Sequence, residues 1–159
     1  FLCTTFAHEK IIKIKIMKKV HNREELQSYI LKLMKDNSSV LEKKIFYNIA
    51  KHSKHFKNSC DKNKSNSSSF DFLKISFSYD VIDKEKENSS LVKEALLALQ
   101  TKEIWFEEKG KEDTQLILLS IIVFSEIEEE SNTISFAIHP IIWDCICSMT
   151  EEQIEIFIN

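Results

Sequence analysis

The sequence predicts a single α+β domain, and three observations carry that prediction. Hydrophobic residues recur at helical spacing through the first part of the chain, and near Lys102 the period switches from 3.6 to 2. A length of 159 residues with 43% hydrophobic content suffices for one proper core.

The elements follow in order. Asn22 is an N-cap with Glu25 three residues on, and Leu26, Tyr29, Ile30, Leu33 and Met34 then form one stripe, so the first helix is expected over 23–35. A second capping box, Ser39 to Glu42, opens a helix over 40–57. In it Leu41, Ile45, Phe46, Ile49, Ser53 and Phe56 fall within roughly 140° of arc. Lys43, Lys44, Tyr47, Lys51 and Lys54 lie opposite and make its outer face basic. Residues 58–69, polar and without periodicity, read as a loop inside the domain, and 70–77 alternate as a strand. Ser78 caps a short helix through Val81 and Ile82, which the polar run 84–88 ends. After Asn88, Ser89 and Ser90, the stripe Leu91, Val92, Ala95, Leu96 and Leu99 marks a helix over 90–100.

The strands come next: 104–107, a turn holding Gly110, an apolar strand over 116–124, an acidic turn over 126–132, and 133–138. Together they read as a three-stranded antiparallel meander. Pro140 suits the first turn of a short helix containing Trp143. Thr150 and Gln153 form a last capping box whose stripe, Ile154, Phe157 and Ile158, stops at Asn159, so the natural chain is expected to continue. The expected organisation is a flexible extension over 1–21, one domain over 22–149, and over 150–159 the start of a helix leading to a second domain. The segment before Met17 reads as vector-derived, mis-started or simply flexible.

Composition narrows the function classes. Loops that cradle phosphate need several glycines, and the chain has one, Gly110, beside one proline, Pro140, which excludes P-loop and dinucleotide-binding chemistry. Cys3, Cys60, Cys145 and Cys147 have no framework spacing and fit reduced thiols in a cytoplasm. The most hydrophobic stretch, 115–124, is bounded by Asp113 and Glu126, and the opening residues lack a secretory pattern, so a soluble cytoplasmic protein is expected. The net charge of −3 conceals an asymmetry: residues 1–64 carry 15 Lys and Arg against 6 Asp and Glu, and residues 65–159 carry 7 against 19. A basic half can face phosphates, or the halves can neutralise each other across the fold.

Helix, strand, short helix, turn, second helix and hairpin is the order of a winged helix, here a helix-turn-helix over 78–100 and a wing over 103–125, with extra N-terminal helices. The stretch FLKISFSYDVIDKEKENSSLVKEALLALQTKEIWF, from Phe72 to Phe106, and LLSIIVFSEIEEESNTISFAIHPIIW, from Leu118 to Trp143, resemble the N-terminal domain of the Rep initiator family of bacterial plasmids. The matching pattern is Leu96, Leu99, Lys102 and Ile104 at the join of helix and wing, then Leu119-Ser120, then Thr133 to Phe136. The resemblance covers about residues 39–157. It implies a replication initiator with two winged-helix domains, of which the second grips the repeated origin sequences and the first dimerises the protein or adds weaker DNA contacts. Dimers would then repress the initiator's own gene and monomers start replication.

The candidate DNA-binding residues are Lys43, Lys44, Lys51, Lys54, Ser89, Ser90, Lys93, Lys109 and Lys111. On the 90–100 helix the outward arc carries Lys93, Glu94, Leu97 and Gln100. Lys and Gln can read bases, whereas Leu97 and Glu94 suit solvent or a protein contact. The 116–124 strand is apolar on both faces, so its second face needs cover. Leu116, Leu118, Ser120, Ile122 and Phe124 are the candidate dimer interface, and packing under the N-terminal helix is the other reading. His139, Cys145 and Cys147 lack a usual zinc spacing, Glu128 to Glu130 read as a solvated turn, and His52 and His55 read as exposed. No catalytic residue, metal or cofactor is expected. The expected partners are double-stranded origin DNA and a second copy, with host replication proteins as further candidates and no membrane. The alternative is a winged-helix transcriptional regulator or protein-interaction module.

Overall fold

The structure, a computed structural model, describes residues 19–63 (only the backbone from 54 to 63), 72–109 and 112–158. Helix α1 (Arg23–Asp36) starts where the Asn22 carboxamide accepts the Glu25 N–H at 2.8 Å, satisfying one of the free donors of the first turn. Helix α2 (Val40–Asn63) opens on the reciprocal Ser39–Glu42 box, with the Glu42 N–H donating to Ser39 Oγ at 3.2 Å and the Ser39 N–H to Glu42 Oε2 at 3.0 Å. It runs six residues past the expected end at 57, into what reads as loop. Once four turns are anchored, each further residue adds a backbone bond at little cost, so polar composition alone does not stop a helix.

Strand β2 (Leu73–Ser78) leads into a 3-10 turn (Tyr79–Val81), and α3 (Ser89–Thr101) follows, so the helix-turn-helix stands where the spacing put it. The turn is held by a buried carboxylate. Asp83 Oδ2 accepts the Tyr79 hydroxyl at 3.1 Å and the Asn88 N–H at 2.9 Å, while Asn88 itself makes no side-chain cap. Helix α4 (Pro140–Cys147) is capped by His139, and α5 (Glu151–Glu155) by the complete Thr150–Gln153 box.

The strands depart from a single meander. Strand β3 (Glu103–Lys109) pairs antiparallel with β4 (Thr114–Ser120), and β5 (Phe124–Glu128) pairs with β6 (Thr133–Ile138), but the two hairpins belong to different sheets. The first has the order β1-β3-β4, with β1 (Lys19–Val20) parallel to β3, and the second has the order β2-β6-β5. The expected 116–124 strand therefore breaks after Ser120. Ile121 and Ile122, both 0% exposed, make a corner that carries the chain from one sheet to the other. Two apolar residues in succession cannot both face the core from a strand, and leaving the strand buries both.

One hydrophobic core joins the layers. Val20, Ile104, Phe106 and Leu119 enter it from the first sheet, Ile134, Phe136 and Ile138 from the second, and Ile45, Phe46 and Ile49 from α2. Phe46 meets Phe157 edge to face at 5.3 Å, which draws the residues after α5 into the same core. Packing thus reaches past 22–149 in both directions, with Val20 fully buried where a flexible extension is expected. Residues 1–18 lie outside the described residues. Among the described residues no helix is long and apolar enough to cross a membrane.

Candidate nucleic-acid interface and the outer face of the wing

Helix α2 buries Ile45, Phe46, Ile49, Ala50 and Ser53, which leaves the opposite line to Val40, Lys44, Tyr47 and Lys51. Lys44 and Lys51 are exposed, Lys43 is half-buried on the flank, and Lys51 Nζ stands 6.0 Å from the Tyr47 ring centroid. Among the described residues no carboxylate shares that line: Glu42, the acid of the first turn, is buried and 8% exposed. The Lys54 and His55 side chains lie outside the described residues, and His52 is half-buried rather than exposed.

Helix α3 is built differently. Val92, Ala95, Leu96 and Leu99 are buried, and the outward line holds Ser90, Glu94, Leu97 and Thr101, with Leu97 60% exposed. Ser89, Ser90 and Lys93 are exposed at its first turns. They stand beside a cleft of about 290 Å³ whose lining includes Lys86, Ser89 and Lys93 on one hand and Glu128 and Glu129 on the other. A phosphate approaching here meets two carboxylates as well as two ammonium groups, which weakens the site for a polyanion. Gln100, expected on the outward arc, instead donates from Nε2 to Ser125 Oγ at 2.8 Å and is committed to β5. Lys109 is exposed near the wing tip, and Lys111 lies outside the described residues.

The proposed apolar interface is divided by the fold. Residues alternate across the first sheet, so Ile104, Phe106 and Leu119 face in while Trp105, Leu116 and Leu118 face out. Trp105 pairs with Leu118, and Leu116, opposite Glu107, and Leu118 are 40% and 43% exposed. Ser120 is half-buried on the same face, opposite Glu103. Phe124 lies instead on the second sheet, in a shallow recess shared with Lys74, Ser135 and Ala137. Ile122 is fully buried and is removed from any surface. Trp105 escaped the sequence reading, although its position between inward Ile104 and Phe106 was the available signal.

The polar groups around α4 serve the fold. Burial and the nearby Arg23 hold His139 below its ordinary value, consistent with a neutral ring whose Nδ1 accepts the Ile141 N–H at 3.0 Å. Burial pushes the Cys145 thiol up to about 11, against an ordinary 9.0, which leaves it unreactive. Arg23 pairs with Asp144 at 3.3 Å. Among the described residues no three His, Cys, Asp or Glu side chains gather as a metal site.

Comparison with known proteins adds a likeness of fold. The sequence matches no protein-family model. No curated protein is significantly similar to it. Among solved structures, the chain is similar to the WH1 domain of MSBI1.176, a replication protein isolated from a multiple sclerosis patient, with a TM-score of 0.54 at 12% identity, over 80% of this chain and 93% of that one. The likeness is one of fold: this chain has a winged-helix fold.

Proposed function

We propose that this chain is the N-terminal winged-helix domain of a plasmid-type replication initiator, a non-catalytic module that associates with a second copy and makes auxiliary contacts with origin DNA. The observation that carries this reading is the likeness to the WH1 domain of a replication protein over 80% of the chain. The surface chemistry supports a division of labour. The Lys44–Lys51 line of α2 offers cations with no acid beside them among the described residues, as phosphate contact requires. Helix α3 stands where a base-reading helix would, but presents Glu94 and Leu97 outward and a carboxylate-lined cleft at its start. DNA binding by this domain alone is therefore weak and little dependent on sequence. Association uses the outer face of the first sheet, where Leu116 and Leu118 on the edge strand β4 and Trp105 on the neighbouring β3 form an apolar surface.

A second reading, a protein-interaction module, is favoured by the same outward Leu97 and Glu94. Titration of the 159-residue chain with labelled duplexes, one carrying origin repeats and one of scrambled sequence, tests the proposal. Weak binding of both duplexes, strongly reduced by salt, is the expected result. Absence of binding at low salt favours the protein-interaction module, and tight selective binding contradicts the assignment of α2 over α3.

A further inference from the structure

Lys102 belongs to the pattern at the join of α3 and β3, and as an exposed lysine it would count among the phosphate contacts. The structure gives it other work. Its ammonium donates to the Asn37 carbonyl at 2.8 Å and pairs with Glu42 Oε1 at 3.0 Å, with the two side chains only 14% and 10% exposed. Asn37 ends α1 and Glu42 lies in the first turn of α2. The backbone of Lys102 also takes part, its carbonyl accepting the Ile121 N–H at 3.4 Å, at the corner where the chain leaves the first sheet. One residue therefore meets the end of α1, the start of α2 and the corner after β4. The other oxygen of Glu42 accepts the Ser39 N–H at 3.0 Å, so the carboxylate is held from both sides.

We propose that Lys102 is a positioning residue for the duplex-binding face: an internal clasp that fixes the first turn of α2, and with it the basic line beginning at Lys44, against the wing. This rests on the reading of α2 as the DNA-contacting helix. A charge-assisted pair out of bulk water is stronger than a surface pair and costs most when one partner alone is removed. Loss of the clasp then frees the α1–α2 corner locally, since the Lys102 ammonium contacts Asn37 and Glu42 there and not the strands. Its signature differs from that of a phosphate contact. A lysine that neutralises a phosphate contributes about 0.9 to the slope of log affinity against log salt, whereas a residue that only orients other lysines changes affinity and leaves the slope alone.

The test uses the whole 159-residue chain with Lys102→Met, Lys102→Arg and Glu42→Gln, read by amide hydrogen exchange and by duplex affinity across a salt series. For Lys102→Met and Glu42→Gln, the amides at 39–43 are expected to exchange at least about tenfold faster while those of β3 and β6 are unchanged. Duplex binding weakens with an unaltered slope, and Lys102→Arg retains both protection and affinity. If Lys102→Met fails to fold, Glu42→Gln, similar in shape, reads the clasp alone. Unchanged exchange at 39–43, or a slope reduced by about 0.9 in Lys102→Met, overturns the proposal. If the unmodified chain does not bind duplex, the DNA reading fails and the positioning role falls with it. The exchange arm then reports whether the clasp exists.

Discussion

Tyr79 and Asp83 show how much one buried pair can hold. The hydroxyl of Tyr79 donates to Asp83, whose same oxygen accepts the Asn88 N–H, so the segment between the 3-10 turn and α3 is pinned from inside. Burial first, and then the Asp83 carboxylate, push the Tyr79 phenol up to about 12 from an ordinary 10.0. A group whose folded value is raised contributes stability below its unfolded value and loses it as pH climbs through the folded one, so this contribution is present below pH 10.0 and lost towards about 12. Tyr79→Phe leaves Asp83 without one donor and is expected to lower stability by about 1–3 kcal/mol in urea unfolding at neutral pH. It is also expected to flatten the loss of stability above pH 10.0. A variant as stable as the parent would show that the turn does not rely on this bond. None of this was legible beforehand, because Tyr79 and Asp83 sit in a segment read as a short capped helix followed by a polar run, and only the fold buries them.

Elements with local signals were legible, and those with non-local partners were not. The Asn22, Ser39 and Thr150 caps mark the starts of α1, α2 and α5 within a residue, because a cap is a contact between residues three apart. The division of the strands between two sheets depends on partners far along the chain, and no glycine or proline marks the corner at Ile121 and Ile122. That corner gives a direct contrast. Ile122→Lys puts an ammonium into the core and is expected to prevent folding, seen as loss of the cooperative unfolding transition. Leu118→Lys, on the outer face of the wing, is expected to keep the fold and abolish self-association in sedimentation. Burying an outward Leu or Trp is worth roughly 1.5–3 kcal/mol, so the few side chains on this face can drive association. A parent chain that sediments as a monomer at tens of micromolar would remove the role given to Trp105, Leu116 and Leu118.

A second prediction at this scale concerns acid. Burial raises the Glu42 carboxyl, but the Ser39 hydroxyl and amide and Lys102 outweigh it and hold it below the ordinary 4.5. The stabilisation it brings is therefore complete above pH 4.5 and lost as pH falls through the lowered folded value. Glu42→Gln is expected to reduce that acid dependence, as followed by urea midpoints between pH 3 and 7.

At the scale of the molecule, charge is distributed by sequence half. From Glu112 to Asn159 there are ten carboxylates and no Lys or Arg, and among the ten are Glu128 at the end of β5 and Glu129 in the turn after it, which line the cleft beside the start of α3. Among the described residues, α2 carries a line of lysines with no carboxylate on it. The sequence showed this asymmetry and the basic face of α2, but whether the halves cancel depends on which elements adjoin, and there the fold decides: Glu42 turns inward and the acidic turn meets α3. The central claim is that duplex contact runs through α2 rather than α3, and the salt dependence of duplex affinity tests it most directly. For the chain with Lys44→Ala and Lys51→Ala together, the slope of log affinity against log salt is expected to fall by about 1.8, while Lys93→Ala leaves it unchanged. A slope that falls by about 0.9 in Lys93→Ala and holds in the double variant would place the contact on α3 and contradict the account.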